Sequence, residues 1–147
     1  MNEAYELMRL QDDGNPHHDD YEPMPTHWLN SLGDRREDVL VAMRRIRVKS
    51  DHHHTRARDL LPRGNSTAIG GEHFDHFLRG EALAVFLRSI GKGKDPRAAV
   101  EDAVVAATDM VRKWNARREW QVHRWEGAAC DVIDDAMRAL LIAADQA

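Results

Sequence analysis

The chain has 147 residues and a formal net charge of −4, with 42% hydrophobic and 31% charged residues. This length and composition predict one globular domain with a core of its own. The single cysteine excludes an internal disulfide framework, and no apolar run approaches the roughly 20 residues of a membrane span. The first residues lack the basic-then-apolar order of a signal peptide, so we expect a cytoplasmic protein that contacts no membrane.

Charge is distributed unevenly along the chain. Residues 1–34 contain eight acids and one Arg, whereas residues 35–63 contain nine Lys or Arg, four acids and a run of three His. Residues 12–26 hold three of the five prolines, which is typical of an extended connector. We therefore expect an acidic, partly extended N-terminal arm over residues 1–34 and a single helical domain over residues 35–147. The arm either folds back on the basic segment or leaves it free for an anionic partner.

The first half of the chain predicts short helices. Residues 3–11 form a short helix, and residues 35–49 form another that is capped by Asp34 and carries a modest apolar stripe. Residues 50–55 then lead into a separate helical piece that ends at Pro62. Residues 63–67 are a loop by composition.

The second half predicts an antiparallel hairpin and a long final helix. Residues 72–90 have helical apolar spacing interrupted by Gly80, so the helix either kinks there or a neighbour packs close. Residues 95–114 form the most strongly patterned helix, with Asp95 as cap and Pro96 at the first position. Its alanines predict close packing against bundle partners or a second copy of the chain. A last helix follows from about residue 118 to 144. The absence of any two-residue alternation predicts an all-α, irregular helical bundle with the hairpin 72–90/95–114.

A candidate metal site combines Glu72, His73, His76 and His123. On a helix the first three share one edge, and contact with the last helix would complete a His/carboxylate site for a divalent metal such as Zn, Mn or Fe. The alternative is a polar helix start with partly exposed histidines. Neither the HExxH motif nor the Glu-x-x-His motif of di-iron bundles is present.

Two basic stretches are candidate contacts for nucleic acid or an acidic protein surface. The first lies on helix 35–49, where the alternative is arginine stems covering apolar surface. The second interleaves arginines with tryptophans that stack on bases or, alternatively, belong to the core. The candidate binding residues are Arg35, Arg36, Arg44, Arg45, Arg47 and Lys49 in the first stretch, and Arg117, Arg118, Trp120 and Arg124 in the second.

Other chemistries find no support in the sequence. There is no nucleophile elbow, phosphate loop or dinucleotide fingerprint. Cys130 lies between Ala129 and Val132, which predicts a buried thiol that behaves as a small apolar group. Residues 82–114 lack the second turn that a helix-turn-helix motif needs.

These patterns favour a non-enzymatic helical protein that works by association and needs no cofactor. It would form a homo-oligomer or dock a protein partner, while its basic segments contact DNA, RNA or an acidic protein. A concrete version is a small DNA-handling or particle-assembly factor of the phage or mobile-element type. The alternatives are a His/carboxylate metal-binding protein or metal-dependent hydrolase, and a regulator that inhibits a target protein.

Overall fold

The structure is a computed structural model that describes the backbone of residues 27–60, 66–116 and 124–147, and the side chains of residues 27–60, 72–116 and 129–147. Two 3₁₀ turns, Trp28–Ser31 and Gly33–Arg35, precede the helices α1 (Arg36–Leu60), α2 (Ser66–Gly91), α3 (Pro96–Ala116) and α4 (Arg124–Ala143). The part of the chain that is described has no strand, which confirms the predicted all-α bundle. Predicted elements over residues 1–26 and 117–123 lie outside it.

Helix α2 is the centre of the bundle. It packs against α1, α3 and α4, whereas α3 packs mainly against α2 and α4. Phe86, Leu78 and Ile90 on α2 are fully buried because neighbours surround this helix on several sides. The alanine-rich stripe of residues 95–114 predicted that α3 is the central helix, but α3 also has a regular amphipathic pattern. That pattern instead marks a helix with one covered side, since a helix covered all round has no polar face.

The hairpin of α2 and α3 forms as predicted. The Asp95 carboxylate accepts a hydrogen bond from the backbone N–H of Ala98 at 2.9 Å, which confirms the expected N-cap. Asp102 on α3 accepts hydrogen bonds from Ser89 Oγ at 2.8 Å and Lys94 Nζ at 2.7 Å. Burial raises the pKa of the Asp102 carboxyl, but the two hydrogen bonds and the positive charges of Lys94 and Lys92 together hold the pKa below its usual value.

The alanine-rich stripe of α3 is used within the chain. Ala99, Ala103 and Ala107 are buried in the core and allow close approach of neighbouring helices. A second copy of the chain is therefore not needed to cover them. Among the described residues of α3, the large apolar side chain that remains exposed is Val105.

Residues 27–35, most of which the sequence grouped with the acidic arm, pack with the helical domain. Trp28 and Leu29 are buried, and the Trp28 backbone N–H donates to Gly93 O at 2.9 Å. Gly93 has φ +110°, and a Cβ there would lie 3.1 Å from the His27 ring, so this contact requires glycine. At the other end of the chain, Gln146 accepts a hydrogen bond from Trp28 Nε1 at 3.1 Å.

Helix α1 runs unbroken for 25 residues, so the predicted separation at residues 50–55 is wrong. The polar run Ser50–Thr55 has weak helix propensity, but contacts to α2 hold it in the helix. Helix α2 likewise begins at Ser66, inside the predicted loop, and continues through Gly80. The alternative that a neighbour packs close at Gly80 is the one observed, because a Cβ there would lie 3.0 Å from the His54 ring.

Helix α4 closes the bundle with a narrow apolar side. Ala129, Ile133, Ala136 and Leu140 are buried at three- and four-residue steps. Cys130 is exposed, so the prediction of a buried thiol is wrong. One residue of helix turns the side chain about 100° away from Ala129, which takes Cys130 off the covered side. None of the described helices is long and apolar enough to cross a membrane.

Candidate functional site

The outer side of α1 carries a group of exposed cations that we call the basic face. It consists of the exposed residues Arg44, Arg45, Arg47 and Lys49, which lie beside Val41 and Val48 in the sequence. Val48 is 67% exposed and Val41 is 37% exposed, so the two valines form apolar spots among the cations. The sequence has no acid between Asp38 and Asp51. No carboxylate of α1 therefore lies three or four residues from Arg44, Arg45 or Lys49.

Exposure on the basic face follows from how α1 packs. Val39, Met43, Ile46 and Ser50 are buried at three- and four-residue steps, so this side faces the bundle. The opposite side meets no other described element. Arg44 and Arg45 form no ion pair with any residue that the structure describes, and their guanidinium groups can therefore contact an external anion.

Arg35 and Arg36, at the start of the first predicted basic stretch, are placed differently from the basic face. Arg35 contacts Asp145 at 3.4 Å, which joins the start of α1 to the end of the chain. Arg36 is half-buried, and its Nε is buried without a hydrogen-bond partner in the described structure. Both residues are thus engaged with the fold and lie outside the basic face. The second predicted basic stretch, Arg117, Arg118, Trp120 and Arg124, has no described side chains and stays a prediction.

The predicted metal ligands of α2 are partly committed to other contacts. Glu72 is exposed, whereas His73 donates from Nδ1–H to the backbone carbonyl of Ala57 at 2.8 Å. Where side chains are described, no group of three or more His, Cys, Asp and Glu is arranged to hold a metal ion. His123 lies outside the described residues, so the four-residue metal site stays a prediction.

His76 instead meets a histidine that the sequence left out of the site. Its Nδ1 lies 3.1 Å from Nδ1 of His53 on α1, and the two ring centroids are 5.4 Å apart. One ring nitrogen must donate and the other must accept, so the contact requires at least one neutral ring. No sequence pattern gives this pair, because it depends on the register between α1 and α2.

The His53–His76 pair belongs to a polar contact zone that we call the histidine seam, where residues 50–60 of α1 meet α2. Ser50 Oγ is buried and donates to the Gly80 carbonyl at 2.8 Å. Ser50 and Gly80 thus bring the two helices into close contact. The other polar pairs along the seam are His54 Nε2 with Glu81 Oε1 at 2.8 Å, His53 with His76, and His73 with the Ala57 carbonyl.

The electrostatic environment keeps the central histidine pair neutral. Burial lowers the pKa of His53, and the positive charges of His76, Arg79 and His52 lower it further, while Asp75 opposes them. Burial also lowers the pKa of His76, where Asp75 raises it against the opposing effect of Arg79. Asp75 contacts Arg79 at 3.4 Å, so the carboxylate is shared with a cation. The lowered pKa values favour the neutral form of both rings.

Comparison with known proteins adds no family to these observations. No protein-family model matches the chain, and no significant match is found among curated proteins or among solved structures. We therefore infer the function from the geometry of the basic face.

Proposed function

We propose that this chain is a non-enzymatic binding protein whose basic face contacts the phosphate backbone of nucleic acid. The observation that carries the proposal is the exposure of Arg44 and Arg45 without ion pairs to described residues, beside exposed Arg47 and Lys49. The first turn of α1 contains Glu37 and Asp38, whereas the sequence has no acid between Asp38 and Asp51. An unbalanced group on one side of a helix is suited to an anionic partner.

The spacing of the basic face fits a duplex. Four cations fall within six residues, which span about 7.5 Å along a helix at 1.5 Å per residue. Double-stranded DNA presents one negative charge per roughly 1.7 Å of its axis, so several phosphates lie within reach of this short stretch. An α-helix with one uncovered side can also enter the major groove, where Val41 and Val48 can make apolar contact with thymine methyl groups. Duplex DNA is therefore the partner that we favour.

The binding measurement is fluorescence anisotropy with a labelled mixed-sequence DNA duplex at increasing salt. If Arg44, Arg45 and Lys49 each neutralise one phosphate, affinity falls by about 40-fold between roughly 50 and 200 mM salt. The triple variant Arg44→Glu, Arg45→Glu and Lys49→Glu is expected to weaken binding by more than about tenfold, because each reversal replaces attraction with repulsion.

A matched control separates the basic face from overall charge. Arg88, Lys92 and Arg97 are exposed cations at the turn between α2 and α3, away from α1 in the sequence. Their simultaneous change to Glu alters the net charge by the same amount. The proposal predicts a much smaller loss of affinity for this control. Equal losses in the two variants, or no binding at low salt, would show that the basic face does not bind DNA.

Self-association and a role in particle assembly stay predictions. The alanine-rich stripe of α3 no longer supports them, because its buried members pack inside the chain. Molar mass from light scattering at low and high salt measures self-association directly. A mass equal to one chain at both salt concentrations would contradict the homo-oligomer.

A further inference from the structure

The basic face of α1 has its electrostatic counterpart in the first part of the same chain. Residues 1–26, which we call the acidic segment, lie outside the described structure and contain seven acids and one arginine. The acids are Glu3, Glu6, Asp12, Asp13, Asp19, Asp20 and Glu22. The basic face has the opposite composition, because it contains four cations and no acid. The acidic segment and the basic face therefore attract each other.

The acidic segment joins the described structure beside the start of α1. Trp28 Nε1 donates a hydrogen bond to the side chain of Gln146 at 3.1 Å, and Arg35 contacts the adjacent Asp145 at 3.4 Å. Trp28 and Arg35 therefore lie against the same end of the chain, directly before α1 begins at Arg36. The acidic segment thus leaves the bundle at the end of α1 that is closer in sequence to the basic face.

The acidic segment is long enough to reach every cation of the basic face. From the first residue of α1, Arg44 lies about 12 Å and Lys49 about 20 Å along the helix, at about 1.5 Å per residue. An extended chain spans up to about 3.3 Å per residue, so Glu22 can lie up to about 17 Å from His27, and Asp12 up to about 50 Å. The acids nearest to the bundle match the first of these distances, and those further away exceed the second.

Other exposed cations near this junction are less suited to the acidic segment. At the turn between α2 and α3, Lys92 and Arg97 have Asp95 between them in the sequence. Lys94 in the same turn already contacts Asp102 at 2.7 Å. The basic face has no acid within it, so its positive charge is less compensated than that of the turn.

We propose that the acidic segment docks on the basic face and competes there with DNA, so that the chain carries its own inhibitor. Because both parts belong to one chain, the segment is present at an effective concentration on the order of mM at any protein concentration. Carboxylates and phosphates bind the same guanidinium and ammonium groups, and DNA must therefore displace the segment. The competition rests on the proposed function, whereas the docking does not.

Docking is tested by NMR without DNA, at low salt and pH 7.5. The charge-neutral variant combines Glu3→Gln, Glu6→Gln, Asp12→Asn, Asp13→Asn, Asp19→Asn, Asp20→Asn and Glu22→Gln. Outside the acidic segment itself, the amide shifts that differ from the wild-type protein are expected to lie in residues 41–49. The difference disappears at high salt, because exposed charges are then screened. Unchanged shifts in residues 41–49, or changes centred on another surface such as the turn 92–95, would overturn the docking.

A spin label separates direct contact from a change in the overall electric field. Asn15→Cys places a nitroxide in the acidic segment without altering its charge, and Cys130→Ser removes the exposed native thiol. Docking predicts that the label broadens the resonances of residues 41–49 at low salt, and that the broadening is lost in the charge-neutral variant. Equal broadening with and without the seven acids contradicts an electrostatic contact.

Competition is measured by fluorescence anisotropy with the mixed-sequence DNA duplex. If the acidic segment covers the basic face in about nine of ten molecules, the apparent affinity for DNA is about tenfold weaker than that of the uncovered face. The charge-neutral variant is therefore expected to bind DNA up to about tenfold more tightly at low salt. The gain shrinks at high salt, where the segment no longer docks.

A matched pair of variants controls for net charge. The segment variant is Asp19→Asn, Asp20→Asn and Glu22→Gln, and the control, which neutralises three exposed acids of α3 and α4, is Glu101→Gln, Asp131→Asn and Asp135→Asn. The segment variant is expected to gain clearly more affinity than the control. Equal gains would reflect net charge alone and would overturn the competition. Docking in a protein that binds no DNA would contradict the proposed function, whereas DNA binding that is indifferent to the acidic segment would contradict only the competition.

Discussion

The two halves of α1 are joined to the same bundle by different interactions. Residues 36–49 bury Val39, Leu40, Met43 and Ile46, and the hydrophobic effect dominates there. Residues 50–60 contact α2 through Ser50, His53 and His54, and hydrogen bonds dominate there. Hydrophobic contacts do not depend on protonation, whereas histidine contacts do. One continuous helix is thus attached to the bundle by hydrophobic contacts in its first half and by hydrogen bonds in its second half.

The outer sides of the two halves differ as well. Residues 41–49 carry four exposed cations and no acid, whereas residues 50–60 carry Asp51 and Asp59 beside Arg56 and Arg58. The better anchored half is therefore also the one with an unbalanced charge. A binding surface on a firmly packed helix keeps its side chains in place, so less order has to be created on binding.

The largest expected effect comes from removing apolar contact in the first half. Met43 is 1% exposed, and Met43→Ala deletes its buried side chain and leaves a cavity. We expect a loss of about 2–5 kcal/mol in the free energy of unfolding, with little dependence on pH between 8 and 5. Urea denaturation at the two pH values measures both. A loss under about 1 kcal/mol would show that this half is not anchored by its core side chains.

A smaller effect is expected where the second half meets α2 most closely. A Cβ added by Gly80→Ala would lie 3.0–3.1 Å from atoms of the His54 ring, which is held by Glu81. Overpacking costs about 1–3 kcal/mol, and better helix propensity returns about 1 kcal/mol, so we expect a net loss of about 1 kcal/mol.

The double variant Gly80→Ala with His54→Ala checks the cause of that loss. If the His54 ring is the obstacle, Gly80→Ala becomes neutral or stabilising once the ring is removed, and the double-mutant cycle gives a coupling above about 0.5 kcal/mol. Additive effects of the two substitutions would mean that the His54 ring is not the cause of the loss.

The smallest expected effect on stability comes from the basic face itself. Arg44 and Arg45 are exposed and form no ion pair with described residues, so Arg44→Ala and Arg45→Ala are each expected to change the unfolding free energy by less than about 0.5 kcal/mol. Thermal denaturation measures this. A loss above about 1 kcal/mol would give these arginines a structural role and weaken their assignment to a partner.

The sequence predicted the hairpin because its signals are local. Asp95 and Pro96 mark the start of α3, and the short connection over residues 92–95 forces α2 and α3 to run antiparallel. The continuation of α1 through Ser50 and His53 was missed because it depends on contacts with a helix that lies later in the chain. Local helix propensity carries no information about such contacts.

The features of the candidate site also separate into those that follow from local sequence and those that depend on distant contacts. Exposure of Arg44 and Arg45 follows from the position of the apolar stripe, so the sequence alone predicts it. The contact of Arg35 with Asp145 and that of His53 with His76 depend on how segments that are far apart in the sequence pack together. Neither contact has a sequence signature, so only the structure shows them.

DNA binding by the basic face is tested most directly by an NMR titration of the isotopically labelled protein with a short DNA duplex at low salt and pH 7.5. We expect chemical shift changes to concentrate on residues 41–49, with the largest at Arg44, Arg45 and Val48, and to disappear at high salt. Residues 50–60 are expected to change little at this pH. Changes centred on any other surface, or none at any DNA concentration, would contradict the assignment of the basic face as the binding site.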